Sequence, residues 1–236
     1  MKKLGVIGGL GPMATAYFMQ LVIDMTKADV DQEHIEMLIH SKPQIPDRTA
    51  YILDHTKESP LPHMIDVGNS LKAQGADMIA IPCVTAHYFQ NELENAIAIP
   101  VIHTIEETAK YLKSEGVSRA GVMATDGTVT SRLFQTTLGR FGIEAIVPDA
   151  ANQAKVMHII YDNVKAGRPI DRAAVFEVRS FMERAGAEVI LLGCTELSMI
   201  KRDLKISEGY LDVMEVLARA SVMACGTLKQ DYEHLL

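Results

Sequence analysis

Three observations predict an α/β fold of two pseudo-symmetric lobes, each a short, mostly parallel sheet flanked by helices. Strand and helix signals alternate along the chain, which calls for parallel strands joined by crossover helices. The order of signals restarts near residue 120. Finally, Gly75-Ala76-Asp77-Met78-Ile79-Ala80-Ile81-Pro82-Cys83 aligns without gaps on Gly186-Ala187-Glu188-Val189-Ile190-Leu191-Leu192-Gly193-Cys194, at a constant offset of 111. Two similar βα units arise in any α/β protein. A true duplication is favoured here because both matching stretches end on the same chemical group.

Leu4–Ile7 reads as a first buried strand ending in Gly8-Gly9, and Ala14–Lys27 as a helix with a broad apolar face. Ile35–Ile39 is a second strand, Leu61–Gln74 a helix entered through Pro60 and Pro62, and Ala76–Ile81 a third strand. A helix over about Thr85–Asn95 and a short strand at Val101-Ile102 complete the first round. The second round offers strands at Ala120–Ala124, Glu144–Val147 and Val189–Leu192. Its helices are expected at Val129–Phe141, Ala150–Lys165 and Asp171–Ala185, with a last helix from about Gly209 to Thr227. That helix is expected to return to the first lobe. The division is then residues 1–103 plus 209–236, and residues 104–208.

The balance of 23 Lys+Arg against 30 Asp+Glu, a formal charge of -7, gives no electrostatic reason to bind nucleic acid. No apolar run reaches the roughly 18 residues that span a bilayer. The first apolar stretch stops at once in glycines and shows no cleavage pattern, so it reads as a strand rather than a signal peptide. Three cysteines are too few for a secreted disulfide framework, and a cytoplasmic protein with reduced thiols is expected.

Cys83 and Cys194 carry the sharpest chemical signal. A lone buried cysteine usually behaves as a small hydrophobe, and Cys225, among Val222, Met223 and Leu228, fits that description. The other two each end a strand and precede a threonine turn, Cys83-Val84-Thr85 and Cys194-Thr195-Glu196. The C-terminal ends of parallel strands are where open α/β sheets bind ligands. Helix N–H groups there lower a thiol pKa and hold anions. Two thiols facing one cleft suit the movement of a proton between the two faces of a carbon. Arg48, in a Pro-rich loop, suits a carboxylate through bidentate hydrogen bonds, although a surface arginine is ordinarily just solvated. Thr85, Thr125 and Thr195 read equally as helix caps or carboxylate contacts. His87 is expected to cap or tune rather than act as a base, and His103 to be a core or surface residue.

Five motifs in order carry a resemblance that spans essentially the whole chain. They are Gly8-Gly9-Leu10-Gly11-Pro12 with Ala14-Thr15, Pro46-Asp47-Arg48-Thr49, Cys83-Val84-Thr85-Ala86-His87, Ala124-Thr125-Asp126-Gly127-Thr128 and Gly193-Cys194-Thr195-Glu196. The sequence resembles the pyridoxal-phosphate-independent aspartate/glutamate racemase family. The resemblance implies a two-cysteine mechanism with no cofactor or metal, an amino-acid substrate and a homodimer. It assigns catalysis to Cys83 and Cys194, and substrate carboxylate binding to Arg48 and, with Lys155 as a rival, Lys165. Gly9, Val84, Thr85, Thr125 and Thr195 frame the substrate. The chain looks more like the aspartate or broad-specificity branch than the cell-wall glutamate racemases. Those carry Asp-Ser after the first strand and His after the second Cys-Thr, where this chain has Gly9-Leu10 and Glu196. Val84 departs from the asparagine usual at its position.

Rival readings are weaker. Gly9-Leu10-Gly11-Pro12-Met13-Ala14 matches the dinucleotide fingerprint, but the second strand runs into His40-Ser41 without the acid that would hold a ribose. The glycines are expected instead to let backbone N–H groups approach a carboxylate. A metal site of Cys83, His87 and Cys194 lacks a fourth ligand. A pyridoxal-phosphate racemase needs a Schiff-base lysine with a phosphate cup, and no pair suggests itself. A two-lobed binding protein has no need of both thiols. A racemase of a neutral amino acid, or a related isomerase or decarboxylase on the same cysteine pair, stands as the alternative.

Overall fold

The computed structural model describes all 236 residues. Two parallel sheets form, with strand orders β2-β1-β3 and β5-β4-β6-β7. In the first, β1 (Leu4–Gly8) lies between β2 (Met37–Ser41) and β3 (Met78–Ala80). In the second, β4 (Arg119–Met123) lies between β5 (Glu144–Ile146) and β6 (Val189–Leu192), and β7 (Tyr210–Asp212) adds to β6. The duplication seen in the sequence is thus repeated in the pairing. Ile79 of β3 bridges Val101 in parallel, as Ile190 of β6 pairs with Tyr210. The fourth strand expected at Val101-Ile102 is therefore reduced to a single bridge.

Each sheet is buried on both faces, which is why its strands read as continuous apolar runs. Leu4 and Val6 point to a core shared with α1 (Pro12–Met25) and α11 (Val213–Cys225), while Ile7 points to one built by α3 (Leu61–Ala73) and α4 (Gln90–Ile97). In the second sheet, Val122 and Leu191 pack on α5 (Thr104–Ser114) and α7 (Leu133–Arg140). Met123 and Leu192 pack on the opposite side, on α9 (Arg172–Arg184) and α10 (Thr195–Leu204). Helix α5 leaves the first sheet to cover the second, and α11 returns toward the first, its Leu217 and Val222 joining Leu4 and Phe18.

Four sequence expectations need correction. The helix expected from Gly209 starts only at Val213. Gly209 has φ +77, outside the helical region, and the apolar Tyr210 and Leu211 that follow complete the second sheet as β7. A boundary at 209 would cut β7 from its partner. The helix expected at Val129–Phe141 is two, α6 (Asp126–Thr130) and α7, because Arg132 takes φ +58 and the Ser131 hydroxyl bonds back to the Gly127 and Thr128 carbonyls. The helix expected from Thr85 begins as a tight 3-10 stretch, Val84–Phe89, before α4. The Ala150–Lys165 helix is α8 (Ala150–Met157) followed by a wider π-helical turn, His158–Lys165.

Asp212, wholly buried at the end of β7, caps α11. Its Oδ1 accepts from Ser198 Oγ at 2.7 Å and Met214 N at 2.9 Å, while Oδ2 has no hydrogen-bond partner. Burial, and then the charge of Glu215 in its ion pair with Lys201, raise the Asp212 pKa to about 7. The folded state therefore binds a proton that the unfolded chain has released above the ordinary value of 3.8. Stability from this group is present below that value and is lost as pH rises through about 7. Denaturant unfolding between pH 4 and 8 should show that decline in the wild type, and Asp212→Asn, which keeps the Oδ1 contacts, should flatten it.

Candidate active site

The equivalent ends of β3 and β6 bring the two singled-out thiols to one cavity. Cys83, which follows β3, and Cys194, which caps α10, both line it, and both are buried. The first sheet's side contributes Leu10, Asp47, Arg48, Thr49, Val84 and Thr85, and the second sheet's side Thr125, Tyr161, Lys165, Thr195 and Glu196. The space beside the thiols is about 10 Å³, room for roughly one water. It adjoins an outer vestibule of about 480 Å³ that shares Leu10, Asp47, Arg48, Lys165 and Glu196 as a partition. A larger groove, about 810 Å³, opens between α4, α5, α7 and α11 and contains neither thiol.

Arg48 opens helix α2 (Arg48–Leu53), which Asp47 caps by accepting from Ala50 N. It is not a solvated loop arginine. Its two terminal nitrogens donate to the carbonyls of Pro46 at 3.0 Å and of Ile45 and Leu10 at 3.3 Å, which aims the guanidinium across the cavity floor. Its Nε is buried with no partner. Burial works against the Arg48 charge, but the Cys83 sulfur and the Asp47 carboxylate outweigh it, and the pKa is raised.

The π-helical turn places Tyr161 and Lys165 on the opposite wall, and such turns recur at functional sites. Lys165 Nζ lies 4.4 Å from the Tyr161 ring centroid and 3.8 Å from Glu196 Oε1. Burial alone would lower its pKa; Glu196 and then Tyr161 reverse that. The rival Lys155 is ion-paired with Glu177 at 2.6 Å and lies outside this cavity.

The threonines do more than cap. Thr85, Thr125 and Thr128 hydroxyls sit 3.1 Å from one another in a buried triangle, tying the turn after Cys83 to the start of α6. Thr125 also caps α6, and Thr195 Oγ1 donates to Glu196 Oε2 at 3.3 Å. Gly127 sits so close to Thr49 that a Cβ there would approach its backbone to 3.0 Å.

Gly9 differs from expectation. It lines the vestibule, not the thiol cavity, and its N–H is taken by Thr15 Oγ1 at 2.9 Å rather than free for a carboxylate. The glycine is needed because φ is +88 and a Cβ would strike the backbone of Lys42 and Pro43. Val84 borders the cavity, yet its side chain belongs to the core with Ile105 and Phe134, so an asparagine there would bring an amide into apolar packing. His87 lies buried outside the cavity. Its ring nitrogens meet Gln90 Oε1 and Thr104 Oγ1, both at 2.7 Å, and burial lowers its pKa to about 4. It is a neutral packing residue with both nitrogens occupied, which removes it from any metal set with the thiols. His103 caps α5.

Glu196 was seen in the sequence only as a departure from histidine. Its Oε2 accepts from Cys194 Sγ at 2.9 Å, and Gly11 leaves room for Oε1. Burial, then the Glu196 charge, drive the Cys194 pKa well above its ordinary value. Asp47 and Thr49, quoted in the sequence only as neighbours of Arg48, line the cavity too, and so does Tyr161, which the sequence alone gave no reason to select.

Two parallel sheets that present paired thiols to one cavity define a class of protein, and comparison with known proteins names it. The Asp/Glu/hydantoin racemase family profile matches residues 7–221, and the chain belongs to that family. Racemases are isomerases. The chain is 28% identical over 225 residues to a broad-specificity amino-acid racemase of Bacillus subtilis, covering 93% of this chain and 96% of the relative. It superposes on the aspartate racemase of Picrophilus torridus with a TM-score of 0.81 and 30% identity, over 98% of both chains. An aspartate racemase homologue from Pyrococcus horikoshii shares the fold, with a TM-score of 0.77 and 24% identity, over 95% of this chain and 99% of that one. No helix is long and apolar enough to cross a membrane.

Proposed function

We propose that the protein interconverts the enantiomers of aspartate or glutamate by two-base proton transfer at Cα. One of Cys83 and Cys194 takes the proton as thiolate, and the other returns one to the opposite face as thiol. No cofactor or metal takes part. The observation that carries this reading is the shared cavity at equivalent ends of duplicated strands. Arg48 and Lys165 supply two cations to a buried site, as a substrate with two carboxylates requires. Thr85, Thr125 and Thr195 supply the polar frame. The cavity beside the thiols is too small for an amino acid, so the partition of Arg48, Lys165 and Glu196 moves to admit one.

The reading extends to a cytoplasmic homodimer. Each protomer has one lobe of residues 1–103 with returning helix α11 and a second lobe of residues 104–212. A racemase of neutral amino acids is the second reading. It is favoured by the apolar part of the vestibule, Pro12, Met13, Pro43, Ile45, Val164 and Met199, and by the breadth in the name of the Bacillus subtilis relative. Incubating the protein with L- and D-amino acids in heavy water, and reading α-deuterium together with chirality, tests both. Exchange with inversion on aspartate or glutamate is expected. Inversion confined to neutral amino acids selects the second reading, and no exchange on any of them overturns both.

A further inference from the structure

The two thiols have opposite neighbours. Cys83 lies beside the Arg48 guanidinium, whereas Cys194 donates a 2.9 Å hydrogen bond to the Glu196 carboxylate. Glu196 is itself buried and shares that oxygen with the Thr195 hydroxyl. The other charged or titratable groups on this cavity are Lys165, 3.8 Å from Glu196, Tyr161 on the turn that carries Lys165, and, from the first sheet's side, Cys83, Arg48 and Asp47, with Arg48 held against Cys83 and Asp47. Lys165 interacts more strongly with Glu196 than with Cys194. A negative charge on Cys194 would lie against a carboxylate in a desolvated cavity, where like charges repel strongly.

We infer that Glu196 is a positioning residue that keeps the proton on Cys194 in the resting protein, so the two thiols enter catalysis unequal. The inference rests on the racemase reading for its consequence. In the resting state Cys194 keeps its proton beside the Glu196 carboxylate, while Cys83 lies beside the cation of Arg48. In one turnover the Cys83 thiolate takes the Cα proton, and the C–H electron pair remains on the substrate. The Cys194 S–H bond then gives its proton to the opposite face. The protein is left with a Cys83 thiol and a Cys194 thiolate beside Glu196. Loss of the Cys83 proton to water and return of one from water to Cys194 ready the pair for another turnover in the same direction.

Alkylation by iodoacetamide, resolved by cysteine-containing peptide across pH 6–10, tests this without substrate. Glu196→Gln keeps the side-chain shape and removes the charge, so the midpoint of the Cys194 pH–rate profile should fall. Each unit of fall raises the thiolate fraction tenfold and costs about threefold in nucleophilicity. Removing the like charge beside this buried thiol should therefore raise Cys194 alkylation near neutral pH about three- to thirtyfold. Cys83 and Cys225 should change little. Lys165→Met, which unmasks Glu196, should slow Cys194 alkylation at the alkaline end of the range while leaving Cys225 unchanged, and it carries the test alone if Glu196→Gln does not fold, an unchanged Cys194 rate then overturning the inference. A merely structural role would change the plateau rates of several thiols and leave the midpoint in place. An unmoved Cys194 midpoint overturns the inference. Failure of the racemase reading shows separately, as absent exchange in the wild type with amino acids in heavy water.

Discussion

Cys83→Ser and Cys194→Ser are each expected to remove racemisation, by about a hundredfold at least and up to ten-thousandfold, the range that positioned acid–base groups contribute. The change is nearly isosteric at two buried positions, so the fold should persist. The loss follows from proton affinity. A serine hydroxyl is a far weaker acid than a thiol and gives no useful alkoxide at neutral pH, so it can serve as neither partner of the exchange. The two variants should differ in what remains. With Cys194 replaced, Cys83 still faces the substrate and should exchange the α-proton of one enantiomer with solvent without inverting it. With Cys83 replaced, any residual exchange should fall on the other enantiomer. Proton NMR in heavy water, beside chiral separation, reads both. A serine variant that keeps full racemisation would sink the two-base mechanism.

The thiol pair was legible in the sequence because duplication is a one-dimensional signal. A constant offset placed the same group after two buried strands, and parallel pairing then brought both strand ends to one side. The Arg48 and Lys165 positions came from the family resemblance, and the structure puts both on the thiol cavity. What the sequence did not show depends on directions that spacing leaves undetermined. Glu196 is one residue beyond a recognised Cys-Thr pair, but only the start of α10 turns its carboxylate back onto the Cys194 sulfur. The Gly9 N–H looked available for a carboxylate until the Thr15 hydroxyl, six residues on, was seen to occupy it. Strand β7 was hidden because two apolar residues and an aspartate running into a helix carry no period of their own, and the second sheet alone selects their conformation.

Arg48→Lys is expected to cost aspartate or glutamate about 10- to 150-fold in kcat/KM while leaving a neutral amino acid nearly untouched. The estimate is the 1.5–3 kcal/mol of one charge-assisted hydrogen bond, converted at tenfold per 1.4 kcal/mol. The substitution retains the charge, so what it removes is geometry. Three carbonyls, those of Leu10, Ile45 and Pro46, hold the terminal nitrogens, and the partnerless Nε is left on the buried side. A lysine ammonium is a single point with a shorter reach, and it cannot satisfy those carbonyls while also meeting a carboxylate edge-on. Some thermal stability should go with it, because carbonyls left without donors in a buried loop cost about 1–3 kcal/mol each. Measuring kcat/KM on aspartate, glutamate and alanine beside the melting temperature separates the two effects. A loss confined to the acidic substrates places Arg48 on the side-chain carboxylate. Equal losses on all three place it on the α-carboxylate and leave acidic specificity to Lys165 alone. Arg48→Ala is the poorer experiment, because it orphans the same three carbonyls with no donor at all and mixes collapse of the loop between β2 and α2 with loss of substrate contact.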